Sequence, residues 1–188
     1  MTRDQAYTLM CEWTQSESLR KHMLAAEAAM SFYARKFGEN QEQWAVVGLL
    51  HDMDYEKHPS KEEHPYQTVK LLDERGEPEE IRRAILAHAD YTGVTAETPM
   101  EKSILAVDEL CGFLTAVALV RPNKSILDVQ VSSVKKKMKD KAFARQVSRE
   151  DMQRGADILQ ITIDDHIANC LQAMQSVATE LGLAGEAT

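Results

Sequence analysis

At 188 residues, with 44% apolar and 28% charged side chains, the chain is long enough for one domain with a full core and has an ordinary globular composition. A net charge of −8 argues against a basic field that holds duplex nucleic acid, and the longest apolar stretch, 104–120, contains Asp108 and Glu109 and falls short of a membrane span. The polar start Met1-Thr-Arg-Asp-Gln reads as no signal peptide, and the scattered Cys11, Cys111 and Cys170 read as reduced thiols, so a cytoplasmic location is expected.

Only 8 glycines and 5 prolines stand against abundant Ala, Leu, Glu, Lys, Gln and Met, which predicts an all-α, single-domain helical bundle. A first helix covers about residues 2–13. A second starts near Ser18, a plausible N-cap, and runs to Phe37, with Gly38 as the stop. The third, about 41–52, is apolar from Trp44 and closes on His51-Asp52. A polar loop beginning at Asp54 follows, and His64-Pro65 opens a fourth helix that ends at Arg75-Gly76. Pro78-Glu-Glu starts the fifth, to about Ala89. Thr98-Pro99 starts the long sixth, which Arg121-Pro122-Asn123 breaks. Residues 127–146 are basic. Ser148-Arg-Glu-Asp151 forms a capping box, and a last helix over 162–181 repeats Ile163, Ile167, Leu171, Met174, Val177 and Leu181.

Chemistry concentrates on the inner faces of these helices. His22 shares its face with Leu19, Ala26, Ala29 and Met30; His51 with Trp44 and Val47; His88 with Ile81 and Ile85. His64 lies on one side with Thr68 and Leu71. Asp108 is flanked by Ile104, Leu105, Cys111 and Gly112, so its carboxylate is expected to point inward. One core histidine is ordinarily satisfied by a neighbouring hydrogen bond. Four histidines with Asp52 and Asp108, from five helices, each need a partner, and a buried ion pair broken on one side costs on the order of 3–5 kcal/mol. One or two shared divalent ions satisfy all six. His58, in a charged loop, and His166, beside Asp164-Asp165, are expected to face solvent.

A mixed imidazole and carboxylate set without thiolate suits Fe, Mn, Co, Ni or Zn. Two divalent ions against Asp52 and Asp108 leave about +2, or about +1 with a bridging hydroxide, which attracts an anion such as phosphate.

His22, His51-Asp52 and Asp108, in this order, resemble the pattern of the HD superfamily of metal-dependent phosphohydrolases over residues 18–120. His64-Pro-Tyr-Gln-Thr-Val and Arg83-Ala-Ile-Leu-Ala-His88 resemble the two further histidines of its dinuclear branch. The resemblance implies six metal ligands, with Asp52 bridging two ions as the catalytic carboxylate. It implies an organisation of N-terminal helix (1–17), metal-binding core (18–120), C-terminal helical extension of the same domain (121–182) and flexible tail (183–188).

Two features depart from relatives: Tyr55 stands where many carry a phosphate-binding Lys, with Lys57 two residues on, and a Gly-Tyr-Pro signature is absent. Lys57, Arg121, Lys124 and Lys135 are the candidate substrate-binding cations, although Lys135-Lys136-Lys137 also fits a solvated basic face. The expected activity is hydrolysis of a nucleotide or other small phosphate ester by a metal-activated water. A diiron oxygenase and a non-catalytic, metal-stapled module are the alternatives. The expected partner is a small phosphorylated substrate, without duplex nucleic acid or membrane, and the chain is expected to be a monomer or homodimer.

Overall fold

The computed structural model describes residues 1–185 and is all-α. In chain order the helices are α1 (Arg3–Trp13), α2 (Glu17–Phe37), α3 (Gln41–Leu50), α4 (Tyr66–Glu74), α5 (Glu79–Ala87), α6 (Pro99–Leu119), α7 (Val131–Lys139), α8 (Arg149–Ile158) and α9 (Ile163–Ser176). A 3-10 turn, Asp90–Thr92, follows α5. No helix among the described residues is long and apolar enough to cross a membrane.

The two longest helices, α2 and α6, pack on each other; α3 lies against α2, α5 against α6, and α9 closes the far side of both. Two glycines permit the closest approaches. A Cβ on Gly48 of α3 would stand 2.6 Å from the Cα and N of Glu27 on α2, and one on Gly155 of α8 would stand 2.8 Å from the Cα of Ala106 on α6. The start of α6 is held by a reciprocal cap. Thr98 accepts from the Glu101 N–H, while Glu101 Oε2 accepts from the N–H groups of Glu97 and Thr98 at 2.7 and 3.1 Å. The other oxygen of this buried carboxylate accepts from Arg83 Nε at 2.9 Å, which ties α5 to α6.

Several sequence expectations are corrected. Ser16, not Ser18, caps α2, because its hydroxyl reaches the Leu19 N–H three residues on, as a cap must. Pro65 sits at the N-cap of α4, after a cis His64–Pro65 peptide, so the helix begins one residue later. The last helix ends at Ser176, and tight turns carry Leu181 and Leu183 into the core. Residues 183–185 are not a free tail: the Leu183 carbonyl accepts from the Ile126 N–H at 2.8 Å, and Ala184 bridges Ser125. The rest of that expected tail, residues 186–188, lies outside the described residues.

His166 is the clearest reversal. It is fully buried, donating from Nε2 to the Ala106 carbonyl at 2.9 Å and accepting at Nδ1 from the Tyr33 hydroxyl at 2.7 Å. Its position three residues after Ile163 and four before Cys170 places it on the apolar stripe of α9, which outweighs the acidic pair beside it. Burial pushes its imidazole down to about 4, so the ring is neutral. His58 is half-buried, with Nδ1 2.9 Å from Glu63 Oε1.

Candidate metal centre

Five stretches of chain converge on one point. His22 comes from the second turn of α2, His51 from the C-cap of α3 and Asp52 from the turn after it. His64 precedes α4, His88 is the C-cap of α5, and Asp108 is mid-way along α6. The six candidate ligands form two clusters that share Asp52: His22, His51, Asp52 and Asp108, and Asp52, His64 and His88, with the potential donor atoms of each within 4.8 Å of one another.

The shared carboxylate is divided between them. Asp52 Oδ2 lies 3.5 Å from His22 Nε2 and 3.6 Å from His51 Nε2, and Oδ1 lies 3.3 Å from His64 Nε2 and 3.5 Å from His88 Nε2. Asp108 Oδ1 completes the first cluster, 2.9 Å from His22 Nε2 and 3.5 Å from His51 Nε2.

The chemistry of these donors fits metal ions. His51 Nδ1 faces the Gly48 carbonyl at 2.9 Å, His88 Nδ1 the Ile85 carbonyl at 2.5 Å, and His64 Nδ1 the Asp54 carboxylate at 2.6 Å. Oxygen acceptors require N–H at all three Nδ1 atoms, so the lone pair of each neutral ring lies on Nε2. The lone pairs of His88 and His64 face one another, with Nε2 atoms 3.2 Å apart, and that of His51 faces His22 Nε2 at 3.2 Å. Opposed lone pairs repel unless a cation stands between them. Donors about 2.0–2.2 Å from one ion are separated by about 3.0–3.5 Å, the spacing found here.

Electrostatics agree. Burial opposes a charge on His22, but the hydrogen bond and charge of Asp108, with Asp52 behind it, outweigh it and push the imidazole up to about 9. His88 is raised too, burial being overcome by Asp52. Burial works against the carboxylates, yet His51 and His88 hold Asp52 below the usual range, and His22 and His51 hold Asp108 well below it. Without ions, protons fill the role of the cations, so metal uptake displaces protons.

Asp54 is a ligand-supporting residue that the sequence places only in a polar loop. Fully buried, it accepts from His64 Nδ1 through Oδ1 and from the Thr68 N–H through Oδ2, at 2.6 and 2.9 Å. It fixes the tautomer and direction of His64 as an outer carboxylate does for a metal-bound imidazole. Counting it lowers the site charge expected with two ions from about +2 to about +1.

Above the cluster opens a cavity of about 610 Å³, whose further lining includes Tyr55, Lys61, Tyr91, Glu109, Gly112 and Arg154. None of the four expected substrate cations lines it. Lys57 turns back over the Trp13 ring, 5.0 Å from its centroid. Arg121 lies 13 residues beyond Asp108, about 20 Å along the helix direction. Lys124 follows it in the same segment, and Lys135 pairs with Asp164 at 2.8 Å. The cations on the wall are Lys61 and Arg154. Arg154 is committed to Asp90 at 2.6 Å and Asp151 at 3.2 Å, whereas Lys61 makes no ion pair among the described residues and stands 5.4 Å from the Tyr91 ring centroid. A charged residue in a loop or on an exposed helix face carries no sequence signal of which cavity it borders.

A helical bundle that focuses two histidine–carboxylate clusters on one aspartate belongs to the class of helical proteins with a candidate metal site. The family comparison is specific within that class. The HD domain model matches residues 19–112, half of the chain, and the chain belongs to the HD-domain family. This is a superfamily of metal-dependent hydrolases whose domains bind divalent ions, and the His/Asp cluster is this chain's counterpart. Comparison with the curated proteins and with the solved structures gave no match.

Proposed function

We propose that this chain is a dinuclear metal-dependent phosphohydrolase acting on a small phosphate ester. The observation that carries this reading is the division of Asp52, whose two oxygens face separate histidine pairs. His22, His51 and Asp108 would hold one divalent ion, His64 and His88 the second, and Asp52 both; Fe, Mn, Co, Ni and Zn suit this donor set. Bound there, two ions supply a water activated for attack and positive charge for the phosphoryl oxygens.

The chain's own groups do the rest. Asp54 keeps the His64 lone pair aimed inward, and the Gly48 and Ile85 carbonyls do the same for His51 and His88. Lys61 is the wall cation available to a substrate phosphate, replacing the lysine that relatives carry at the position of Tyr55. The site lies at the floor of a cavity large enough for a small-molecule substrate.

The test is metal analysis and a phosphate-ester panel, run on the wild type, His51→Ala and Asp108→Asn. About two ions per chain, with turnover lost in both variants, is the expected result. A metal-loaded wild type that turns over no ester refutes the hydrolase reading, and oxygen consumption by the iron-loaded form would put a diiron oxygenase in its place.

A further inference from the structure

Apart from the candidate ligands, three carboxylates face the cavity: Asp90, Asp151 and Glu109. Arg154 neutralises the first two. Glu109, half-buried, has no ion pair among the described residues, and its one hydrogen bond is a long one, from the Ser148 N–H at 3.4 Å. Most of its acceptor capacity is therefore unused, on a wall where Asp108 and Asp151 add to the negative charge. A half-buried carboxylate in that setting is stabilised by a donor, and the described residues supply no further one.

Space for that donor lies alongside. Gly112 is one turn beyond Glu109 on α6 and also lines the cavity. A Cβ built there meets nothing within 4 Å, unlike those at Gly48 and Gly155, where glycine permits helix packing. The absence of a side chain at position 112 leaves open volume one turn from an acceptor with unused capacity.

We infer that Glu109 and Gly112 form a substrate subsite that reads a hydrogen-bond donor, a hydroxyl or an ammonium group, on the organic part of the ester. This rests on the phosphate-ester reading and adds to it. The metal centre and Lys61 take the phosphate, and Glu109 selects esters that carry a donor a few bonds away over purely alkyl ones. The subsite lies partly outside the core fold: α8 closes it through Ser148 and Asp151, beyond the matched residues 19–112.

The experiment is calorimetric binding to the full chain loaded with a divalent ion under which the esters stay intact through the titration, so that binding is read apart from turnover. The probes are inorganic phosphate and the ethyl, 2-hydroxyethyl and 2-aminoethyl phosphates with their three-carbon homologues. At least one donor-bearing series should bind about tenfold or more tightly than the alkyl series. Glu109→Gln should remove an ammonium preference but keep a hydroxyl preference, since an amide oxygen still accepts. Glu109→Met should remove either. Gly112→Leu should weaken every ester while leaving inorganic phosphate unchanged. Equal binding of alkyl and donor-bearing esters overturns the subsite alone, as does a preference that survives Glu109→Met. Failure of inorganic phosphate to bind overturns the phosphate reading itself.

Discussion

Asp54→Asn tests how the second cluster is organised, because the change is isosteric and leaves all six candidate ligands in place. Asp54 accepts two hydrogen bonds, from His64 Nδ1 at 2.6 Å and from the Thr68 N–H at 2.9 Å. An asparagine has one acceptor oxygen and one donor nitrogen. With the oxygen kept on the Thr68 N–H, the amide NH₂ faces His64 Nδ1 and drives the ring proton to Nε2, the atom that must carry the lone pair toward Asp52 and His88. With the amide flipped, NH₂ meets the Thr68 N–H in a fully buried site, at a cost of about 1–3 kcal/mol. Loss of such an outer partner lowers metal affinity about 10- to 100-fold. The loss falls on the His64/His88 side and leaves the His22/His51/Asp108 side intact. Competition with a chelator, followed by metal counting, should show a weak ion released first, with roughly one ion retained where the wild type holds two. Two ions at wild-type affinity in Asp54→Asn would refute the assigned role of Asp54 and the tautomer argument with it.

Three further outcomes are expected. Gly48→Ala would gain about 0.5–1 kcal/mol from helix propensity alone, but its Cβ would stand 2.6 Å from the Glu27 backbone, so thermal unfolding should show a net loss of about 1–3 kcal/mol; unchanged or raised stability would contradict the close α2–α3 approach. His166 is held neutral with its imidazole down at about 4, whereas an unfolded histidine titrates near 6.5, so the unfolded chain binds more protons between those values. Its contribution, about 3 kcal/mol, is complete above pH about 6.5 and is lost as pH falls toward 4, and denaturant midpoints for His166→Gln should be flatter across that window. Stripping both ions with a chelator should lower the melting temperature by about 10–20 °C relative to protein in a hundredfold excess of ion over its dissociation constants, and His51→Ala, which touches only one of the two clusters, should remove roughly half of the difference.

Helix positions are legible in the sequence because caps, prolines and the 3.6-residue period are local signals. So are His22, His51, His88 and Asp108, whose apolar neighbours at three- and four-residue spacing announce an inward face. Asp54 escapes because residues 51–65 follow turns, where no period links burial to sequence; only its contact with His64, ten residues on, reveals it. His166 looks solvent-facing from its immediate neighbours, although the stripe of α9 contains it. The four expected cations fail for a different reason. Nearness in the chain is a poor guide to nearness to phosphate, since Lys61 and Arg154 reach the cavity by tertiary packing.

The Ala106 carbonyl accepts from His166, and the Ala106 backbone is also where Gly155 makes its closest approach, two residues before Asp108. Helices α8 and α9 thus grip the back of the segment whose front carries a candidate ligand. A chain cut at residue 112, where the family match ends, would expose that grip as a bare apolar seam. The boundary drawn by ancestry is therefore not a boundary of cooperativity. In hydrogen exchange, the amides of α6 and α9 should open together in one event, and the excised core should be a client for chaperones rather than a minimal enzyme.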